Sequence, residues 1–519
     1  MFAFAIWDRR TRTLFCARDR LGKKPLYYYW DGSLFVFASE IKAILKHPAV
    51  SARFDDTLLP EYLAFGYTSG EKTLFSGIRK LMPGHTLTLT PGGLATQRYW
   101  DLPLAPCEER RDDREWIAEC RRRLEETVCM RLMSDVPLGM FLSGGVDSSA
   151  IAALMKRMVS TPVKTFSVGY SETEFSELAS ARTVAETVGT DHHEIVVSRD
   201  DFFRVLPALI WHEDEPITWP SSVSLYFVSR LAAEQVKVVL TGEGSDEMFA
   251  GYGRYRFYEL NRAALRYYRL LPRSLRRLVE SGLDGLPLLS GGLRRKLQHT
   301  FLGRGETLES LYLDNFYSAF SAAEQGRLLS GGNAYPSPYA SYLEYWDVAA
   351  GLPLLQRLLY ADTKTYLVEL LMKQDQMSMA CSIESRVPFL DHEFVEFAAR
   401  VPHRMKIRGG EAKYILKKAV EDVLPRSIVY RRKMGFPTPL RAWLADGRSE
   451  PLLRDLSRSD GLVAAYLDTR AIGAMLDRHR SGAVDATDRI WRLLNLQSWG
   501  DLYFAGREPA VAAAAQSLH

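Results

Sequence analysis

Over the first hundred residues, short apolar runs alternate with turn residues, which is typical of a β-rich region. The runs cover residues 2–7, 13–17, 26–29 and 34–37, and glycine or aspartate separates them. Residues 86–90 alternate strictly between polar and apolar side chains, as expected of a half-buried strand. The pattern predicts a small domain of short strands.

The spacing of apolar residues changes from about residue 113. Five side chains recur at every fourth position, namely Trp116, Cys120, Leu124, Val128 and Leu132. A stripe with this spacing lies along one face of a helix, so the pattern predicts a long amphipathic helix that buries this face.

Strand-like and helix-like segments then alternate up to residue 240, which is typical of a parallel α/β sheet. The predicted strands are 136–142, 163–168, 194–197 and 236–240, and the predicted helices are 148–158, 175–188, 201–212 and 222–235. Residues 255–500 are predicted to be mostly helical. Ligands of open α/β sheets bind at the carboxyl ends of the strands, so we expect the functional site there.

The segment 143–149, Ser-Gly-Gly-Val-Asp-Ser-Ser, lies between a predicted strand and a predicted helix. A glycine turn at a helix N-terminus directs backbone N–H groups at an anion such as phosphate. Ser148 and Ser149 are candidates to cap the helix, and Asp147 is a candidate ligand for a divalent cation. No lysine occupies the Walker A position, so the segment does not match a kinase or GTPase loop.

This loop resembles the pyrophosphate loop of the N-type ATP pyrophosphatases. Two further motifs, residues 240–252 (LTGEGSDEMFAGY) and 385–391 (SRVPFLD), follow it. In this order and spacing, the three motifs resemble the synthetase domain of the asparagine synthetase B family. The resemblance implies an α/β fold: an N-terminal-nucleophile glutaminase domain, then an adenine nucleotide α-hydrolase-like parallel sheet with a helical C-terminal part.

The resemblance divides the chain into a glutaminase part over 1–105, a synthetase part over 113–505 and a disordered tail over 506–519. Residues 1–8 and 17–28 are similar to sequence well inside the family's glutaminase domain. The first cysteine, Cys16, lies within a predicted strand, so the resemblance implies that the catalytic front half is absent. We expect open apolar faces, which a longer protein, a second chain or the synthetase part would cover.

The family joins a carboxylate to ammonia by adenylation, with ATP as substrate and Mg²⁺ as cofactor. By resemblance, Asp147 and Asp246 hold the metal. The implied ATP-binding residues are Leu142, Ser143, Gly144, Gly145, Asp147, Ser148, Ser149, Val168, Thr241 and Gly242. We expect Val168 to end its strand, at the edge of the sheet where the nucleotide binds.

Three residues match catalytic positions of the family. Glu243 is tied to formation and use of the adenylate, and Lys413 stabilises the developing phosphate charge. Arg386 is a candidate phosphate contact, with a salt bridge to Glu384 as the alternative. Lys433 is a weaker candidate for a phosphate contact.

Aspartate is the default acceptor by family frequency, with ammonia, free or derived from glutamine, as the second substrate. The segment 213–222 is similar to a family segment near the acceptor pocket. One branch carries a threonine pair and an arginine there, whereas this chain has a single threonine, Thr218. Three alternatives therefore stay open: a β-lactam-type synthetase, a macrolactam-type synthetase and an inactive nucleotide-binding paralogue.

Composition and charge bear on the partners and the cellular compartment of the protein. A formal net charge of +4 with 25% charged residues argues against a dedicated nucleic-acid binder. Five cysteines without a CxxC pair favour a reducing, cytoplasmic compartment. No apolar run approaches the roughly 20 residues of a membrane span, and the apolar start lacks a basic leader. A homodimer is compatible with the sequence.

Overall fold

The computed structural model describes residues 1–104, 111–272, 274–276, 297, 299–330, 334–435 and 438–505. The predicted tail over 506–519 lies outside the described residues. The structure confirms the α/β architecture, with a β-rich N-terminal region followed by a parallel sheet and many helices.

Residues 1–104 form two small antiparallel sheets with the strand orders β1-β2-β6-β7 and β4-β3-β5. The strands are β1 (Ala3–Asp8), β2 (Thr13–Arg18), β3 (Tyr27–Trp30), β4 (Phe35–Ala38), β5 (Ile78–Lys80), β6 (His85–Thr90) and β7 (Gly93–Arg98). Strand β1 lies at an edge, where Phe4, Ile6 and Trp7 are 40%, 57% and 55% exposed. The expected open apolar surface is therefore present.

Two helices of this region, α1 (Ile41–Leu45) and α2 (Leu59–Phe65), pack against the rest of the chain. The buried carboxylate of Asp214 accepts a hydrogen bond from the Ile41 N–H at 2.7 Å, at the start of α1. The Tyr62 hydroxyl of α2 donates to the Arg492 carbonyl at 2.8 Å. One apolar core therefore runs through both parts of the chain.

The predicted long helix is α3 (Asp113–Leu132). Asp112 and Glu115 form a capping box: each side chain accepts a hydrogen bond from the other residue's backbone N–H at 2.8 Å. Trp116 and Leu124 are fully buried, as the stripe predicted.

Five parallel strands form the central sheet in the order β10-β9-β8-β11-β12. They are β8 (Leu138–Phe141), β9 (Lys164–Tyr170), β10 (Asp191–Val197), β11 (Val238–Leu240) and β12 (Glu384–Arg386). Successive side chains of a strand point to opposite faces, so Val239 joins one apolar core and Leu240 the other. The sheet is buried on both faces, which explains its continuous apolar runs.

The helices around the sheet are α4 (Val146–Met158), α5 (Leu178–Val188), α6 (Arg199–Glu213), α7 (Ser221–Ala233), α8 (Ser245–Phe249) and α9 (Gly253–Tyr268). The later helices are Asp314–Phe316, Ala322–Leu328, Ala340–Val348, Leu354–Lys364, Tyr366–Met379, His392–Arg400, His403–Lys406, Tyr414–Val420, Arg426–Val429, Leu440–Ala445, Glu450–Asp455, Leu462–Tyr466, Thr469–Arg480 and Thr487–Tyr503. The predicted helical C-terminal part is confirmed. Within the described ranges, no helix is both long and apolar enough to cross a membrane.

Two details differ from the sequence-based expectation. Strand β9 continues to Tyr170, so Val168 lies inside the strand and does not end it. Strand β12 was not predicted; it follows a long helical region and pairs in parallel with β11. A segment of three polar residues carries too little periodicity to reveal a strand, and its pairing with β11 is what makes it one.

Candidate functional site

The candidate site lies at the carboxyl ends of β8 and β11, which are neighbours in the sheet but not in the sequence. At this position the strand order reverses, and a crevice opens between the two loops that leave the sheet. A cavity of about 760 Å³ occupies the crevice. The loop after β8 and the turn after β11 both line it.

The loop after β8 is held in a shape that only glycine permits at Gly144. This residue has φ +71°, and an added Cβ would lie 2.7 Å from the carbonyl carbon of Ser180. The Ser143 N–H donates to the Ser148 hydroxyl at 3.2 Å, which closes the loop. Gly145, not a serine, is the N-cap of α4, so the predicted capping role of Ser148 and Ser149 is wrong.

Lys413 joins the two loops from a third segment of the chain. Its Nζ donates to Asp147 Oδ2 at 2.6 Å and to Ser245 Oγ at 2.7 Å, and it lies 2.9 Å from Asp246 Oδ1. The side chain is buried, and the residue precedes its helix with φ +55°. Burial favours the neutral amine, but the two carboxylates outweigh it and raise the pKa of Lys413.

Asp246 meets two cations in the same cluster. The Nζ of Lys433 lies 2.5 Å from Asp246 Oδ1 and 4.4 Å from the centre of the Tyr252 ring. Burial alone would raise the pKa of Asp246, but Lys413 and Lys433 lower it to about 2. The carboxylate is therefore charged at any physiological pH.

The chemistry of this cluster fits a divalent cation bound together with phosphates. Asp147 Oδ1 is buried and has no hydrogen-bond partner, so one hard oxygen is free beside the cavity. In the described part of the chain, no group of three His, Cys, Asp or Glu residues forms a metal site. Two carboxylates with phosphate oxygens completing the shell are the usual environment of Mg²⁺.

The structure brings most of the predicted site residues to one cavity. Those that line it are Leu142, Ser143, Gly145, Asp147, Ser148, Val168, Thr241, Gly242, Glu243, Asp246 and Lys413. Glu243 lies 3.9 Å from the Nζ of Lys373 and is about one-third exposed. Gly144 and Ser149 do not line the cavity, although both belong to the loop.

Arg386 is not among the residues that line the cavity. Its guanidinium donates to Glu384 Oε1 at 2.7 Å and to the carbonyls of Arg131 and Met133 at 2.8 and 2.7 Å. These contacts fasten the end of α3 to β12. The geometry supports the salt-bridge alternative for this arginine and gives no contact with a phosphate.

We expect Arg386→Met to lower the melting temperature by a few degrees, because charged hydrogen bonds of this kind contribute about 1.5–3 kcal/mol each. Affinity for ATP, measured by calorimetry, should change by less than about twofold. A stable Arg386→Met variant that no longer binds ATP would show instead that Arg386 contacts a phosphate.

Several cavity residues were not singled out as site residues in the sequence. Tyr252 ends the motif 240–252 and Trp219 lies within the segment 213–222, whereas Tyr366, at the start of the helix Tyr366–Met379, lies in no motif. Arg431 donates to the Gly144 carbonyl at 3.1 Å and to Glu177 at 2.6 Å, and these two contacts hold the loop after β8 in place. Their signal in the sequence is an ordinary aromatic or basic residue, which mostly marks a core or a surface.

A family model described as asparagine synthase matches residues 119–501, and one described as a glutamine amidotransferase domain matches residues 1–100. Asparagine synthetase [glutamine-hydrolyzing] 1 of Bacillus subtilis is 32% identical over 506 residues, which cover 96% of this chain and 77% of that relative.

Two further relatives show the range of the similarity. A Mycobacterium bovis protein, provisionally named a glutamine-hydrolysing asparagine synthetase, is 37% identical over 513 residues, covering 97% of this chain and 76% of that relative. The amidase chyE of Penicillium rubens is 28% identical over 486 residues, covering 85% of this chain and 70% of that relative.

Proposed function

Because the chain belongs to the asparagine synthase family, we propose that it makes asparagine from aspartate and ammonia while cleaving ATP to AMP and pyrophosphate. One observation carries the proposal: Lys413 joins Asp147 and Asp246 at the edge of a cavity that the phosphate-binding loop also lines. The ammonium groups of Lys413 and Lys433, the glycine loop and a divalent cation held by the two carboxylates would together suit the charge of a nucleoside triphosphate.

In the first step, an oxygen of the aspartate side-chain carboxylate attacks the α-phosphorus of ATP, and pyrophosphate leaves. The chain contributes positioning and charge. The N-terminus of α4 and the loop N–H groups bind the departing phosphates, and Lys413 offsets their growing negative charge. When bound, Mg²⁺ held by Asp147 and Asp246 would neutralise part of the pyrophosphate charge.

In the second step, ammonia attacks the activated acyl carbon, and AMP leaves with the bonding electron pair. The nitrogen must then lose a proton. Glu243 lies three residues after the end of β11, lines the cavity and is about one-third exposed, so its carboxylate is suited to accept that proton. We assign this role to Glu243.

We further propose that the chain uses ammonia itself as the nitrogen donor. Cys16, the first cysteine, is fully buried in β2, and burial raises the pKa of its thiol to about 11. A buried neutral thiol is a poor nucleophile. Cys16 therefore does not replace the exposed cysteine that a glutaminase of this family requires.

Pyrophosphate and asparagine should form when the 519-residue chain receives Mg-ATP, aspartate and ammonium. With glutamine in place of ammonium, we expect no asparagine and no glutamate. Asp147→Ala serves as the inactive control. Glutamine-dependent synthesis would contradict the proposed donor, whereas no pyrophosphate from wild type with either donor would contradict the proposed function.

A synthetase for another carboxylic acid is the second candidate. The observation that favours it concerns Thr218, whose hydroxyl lies 3.0 Å from both the Gly66 carbonyl and Glu369 Oε1. Thr218 is buried and does not line the cavity, so it is not placed to bind aspartate as the family branch with a threonine pair does. A panel of carboxylic acids in the pyrophosphate assay separates the two candidates.

A further inference from the structure

Lys373 is a buried cation of the cavity that has no hydrogen-bonded anion. It lies on the helix Tyr366–Met379 and is only 7% exposed. Its nearest acidic partner is Glu243 Oε1 at 3.9 Å, which is too far for a hydrogen bond. The Trp219 ring centre lies 5.6 Å from its Nζ. Across the ranges that the structure describes, no residue accepts a hydrogen bond from this ammonium.

The other cations of the cavity differ from Lys373. Lys413 has Asp147 and Ser245 as acceptors, and Arg431 is bound to Glu177. Lys417 donates to Glu411 at 2.6 Å, and Lys433 to Asp246. Arg432, which also lines the cavity, is exposed and can be solvated by water. Lys373 alone among these described cations combines burial with the lack of a hydrogen-bond acceptor.

The ammonium of Lys373 opens into the cavity without a hydrogen-bonded anion, so an anionic ligand in the cavity can gain a charge-assisted hydrogen bond with it. In the proposed function, Lys413 and the loop 143–149 already bind the phosphates. The reacting carboxylate of the acceptor loses its charge once it is adenylated. A second carboxylate on the acceptor keeps its charge through both steps, so it requires a permanent cation.

We propose that Lys373 binds the non-reacting α-carboxylate of the acceptor and thereby selects a dicarboxylic amino acid. This inference rests on the proposed function. The 3.9 Å separation between Lys373 and Glu243 places the bound carboxylate close to the residue that acts at the acyl carbon. The two ends of a four-carbon amino acid fit such a spacing, and the Trp219 ring closes the cavity beside the ammonium.

The test compares Lys373→Met with wild type on L-aspartate and on β-alanine, which equals aspartate without its α-carboxylate. We expect the variant to raise the KM for aspartate by about 10- to 100-fold, the range for one charged hydrogen bond. Its KM for ATP and its activity with β-alanine should change by less than about twofold. Lys373→Arg, which keeps the charge, should recover part of the affinity for aspartate.

Lys418→Met is the matched control, since Lys418 does not line the cavity and pairs with Glu421 at 2.8 Å. An unchanged KM for aspartate in Lys373→Met, or equal losses with aspartate and β-alanine, would overturn the inference. If Lys373→Met does not fold, the ratio of the wild-type activities with aspartate and with β-alanine is measured instead. A ratio near one would exclude recognition of the α-carboxylate. Wild-type enzyme inactive with aspartate would contradict the proposed function instead.

Discussion

Replacing Lys413 with methionine should reduce pyrophosphate release by about 100- to 1,000-fold, the range for loss of one well-placed donor to developing charge. Methionine keeps the length of the side chain but removes the ammonium that Asp147 and Asp246 share. Asp147 would then face the phosphates without its paired cation, and Asp246 would keep only Lys433. Single-turnover pyrophosphate release at saturating ATP and aspartate measures this effect.

Lys418→Met provides the control for Lys413→Met, because it removes a lysine outside the cavity. Loss of a buried charge partner also destabilises the fold, so the melting temperature must be recorded in parallel. Lys413→Arg should not restore the rate, since a planar guanidinium cannot occupy the same three-acceptor position. A folded Lys413→Met enzyme within tenfold of wild type would remove Lys413 from the mechanism.

The second large effect is expected from one added methyl group at Gly251. An alanine Cβ at this position would lie 2.0 Å from Asp246 Oδ1 and 2.1 Å from the Cε of Lys413. Real Cβ atoms do not approach other atoms so closely, so the side chains of Asp246 and Lys413 or the backbone at residue 251 must shift. We expect Gly251→Ala to lower synthetase activity by about 100-fold, because small displacements at a reacting centre have effects of this size.

Gly253→Ala is the control for this prediction, since no atom lies within 4 Å of its added Cβ. Gly253 begins α9, only two residues further along the chain. Its variant should keep wild-type activity and stability. Equal activity of the Gly251→Ala and Gly253→Ala variants would show that the Lys413–Asp246 contact does not contribute to the reaction.

Gly251→Ala and Arg386→Met together separate effects on activity from effects on folding. Gly251→Ala displaces charged groups that line a cavity, and its main effect should fall on activity. The Arg386→Met variant breaks contacts between α3 and β12 away from the cavity, and its main effect should fall on stability. If Gly251→Ala lowered only stability and Arg386→Met lowered only activity, the roles assigned to the two sites would be reversed.

Much of the fold was predictable because periodicity reports which faces are buried. The stripe from Trp116 to Val128 became the buried face of α3, and the alternating segment 86–90 became β6. The phosphate loop was predictable for a different reason. Its glycines, serines and aspartate stand together between a predicted strand and a predicted helix, where a local turn can bind an anion.

Two of the predictions that failed depended on distant partners. The end of β9 was placed too early at Val168, since pairing with β10 extends the strand to Tyr170. Arg386 lies within the motif 385–391, yet the carbonyls of Arg131 and Met133 determine where its guanidinium points. No local pattern contains that information, because those carbonyls lie about 250 positions away in the sequence.

By itself, the sequence determined the class of this protein: an α/β chain with a glycine loop between a strand and a helix, and motifs of the asparagine synthase family. Those features are local, since they depend on backbone conformation and on the spacing of neighbouring side chains. Only the tertiary structure decided which charges meet. It paired Lys413 with Asp147 and Asp246, and it left Lys373 without a hydrogen-bonded anion. Electrostatic pairing depends on distances through space, which the fold creates between residues that the sequence keeps far apart.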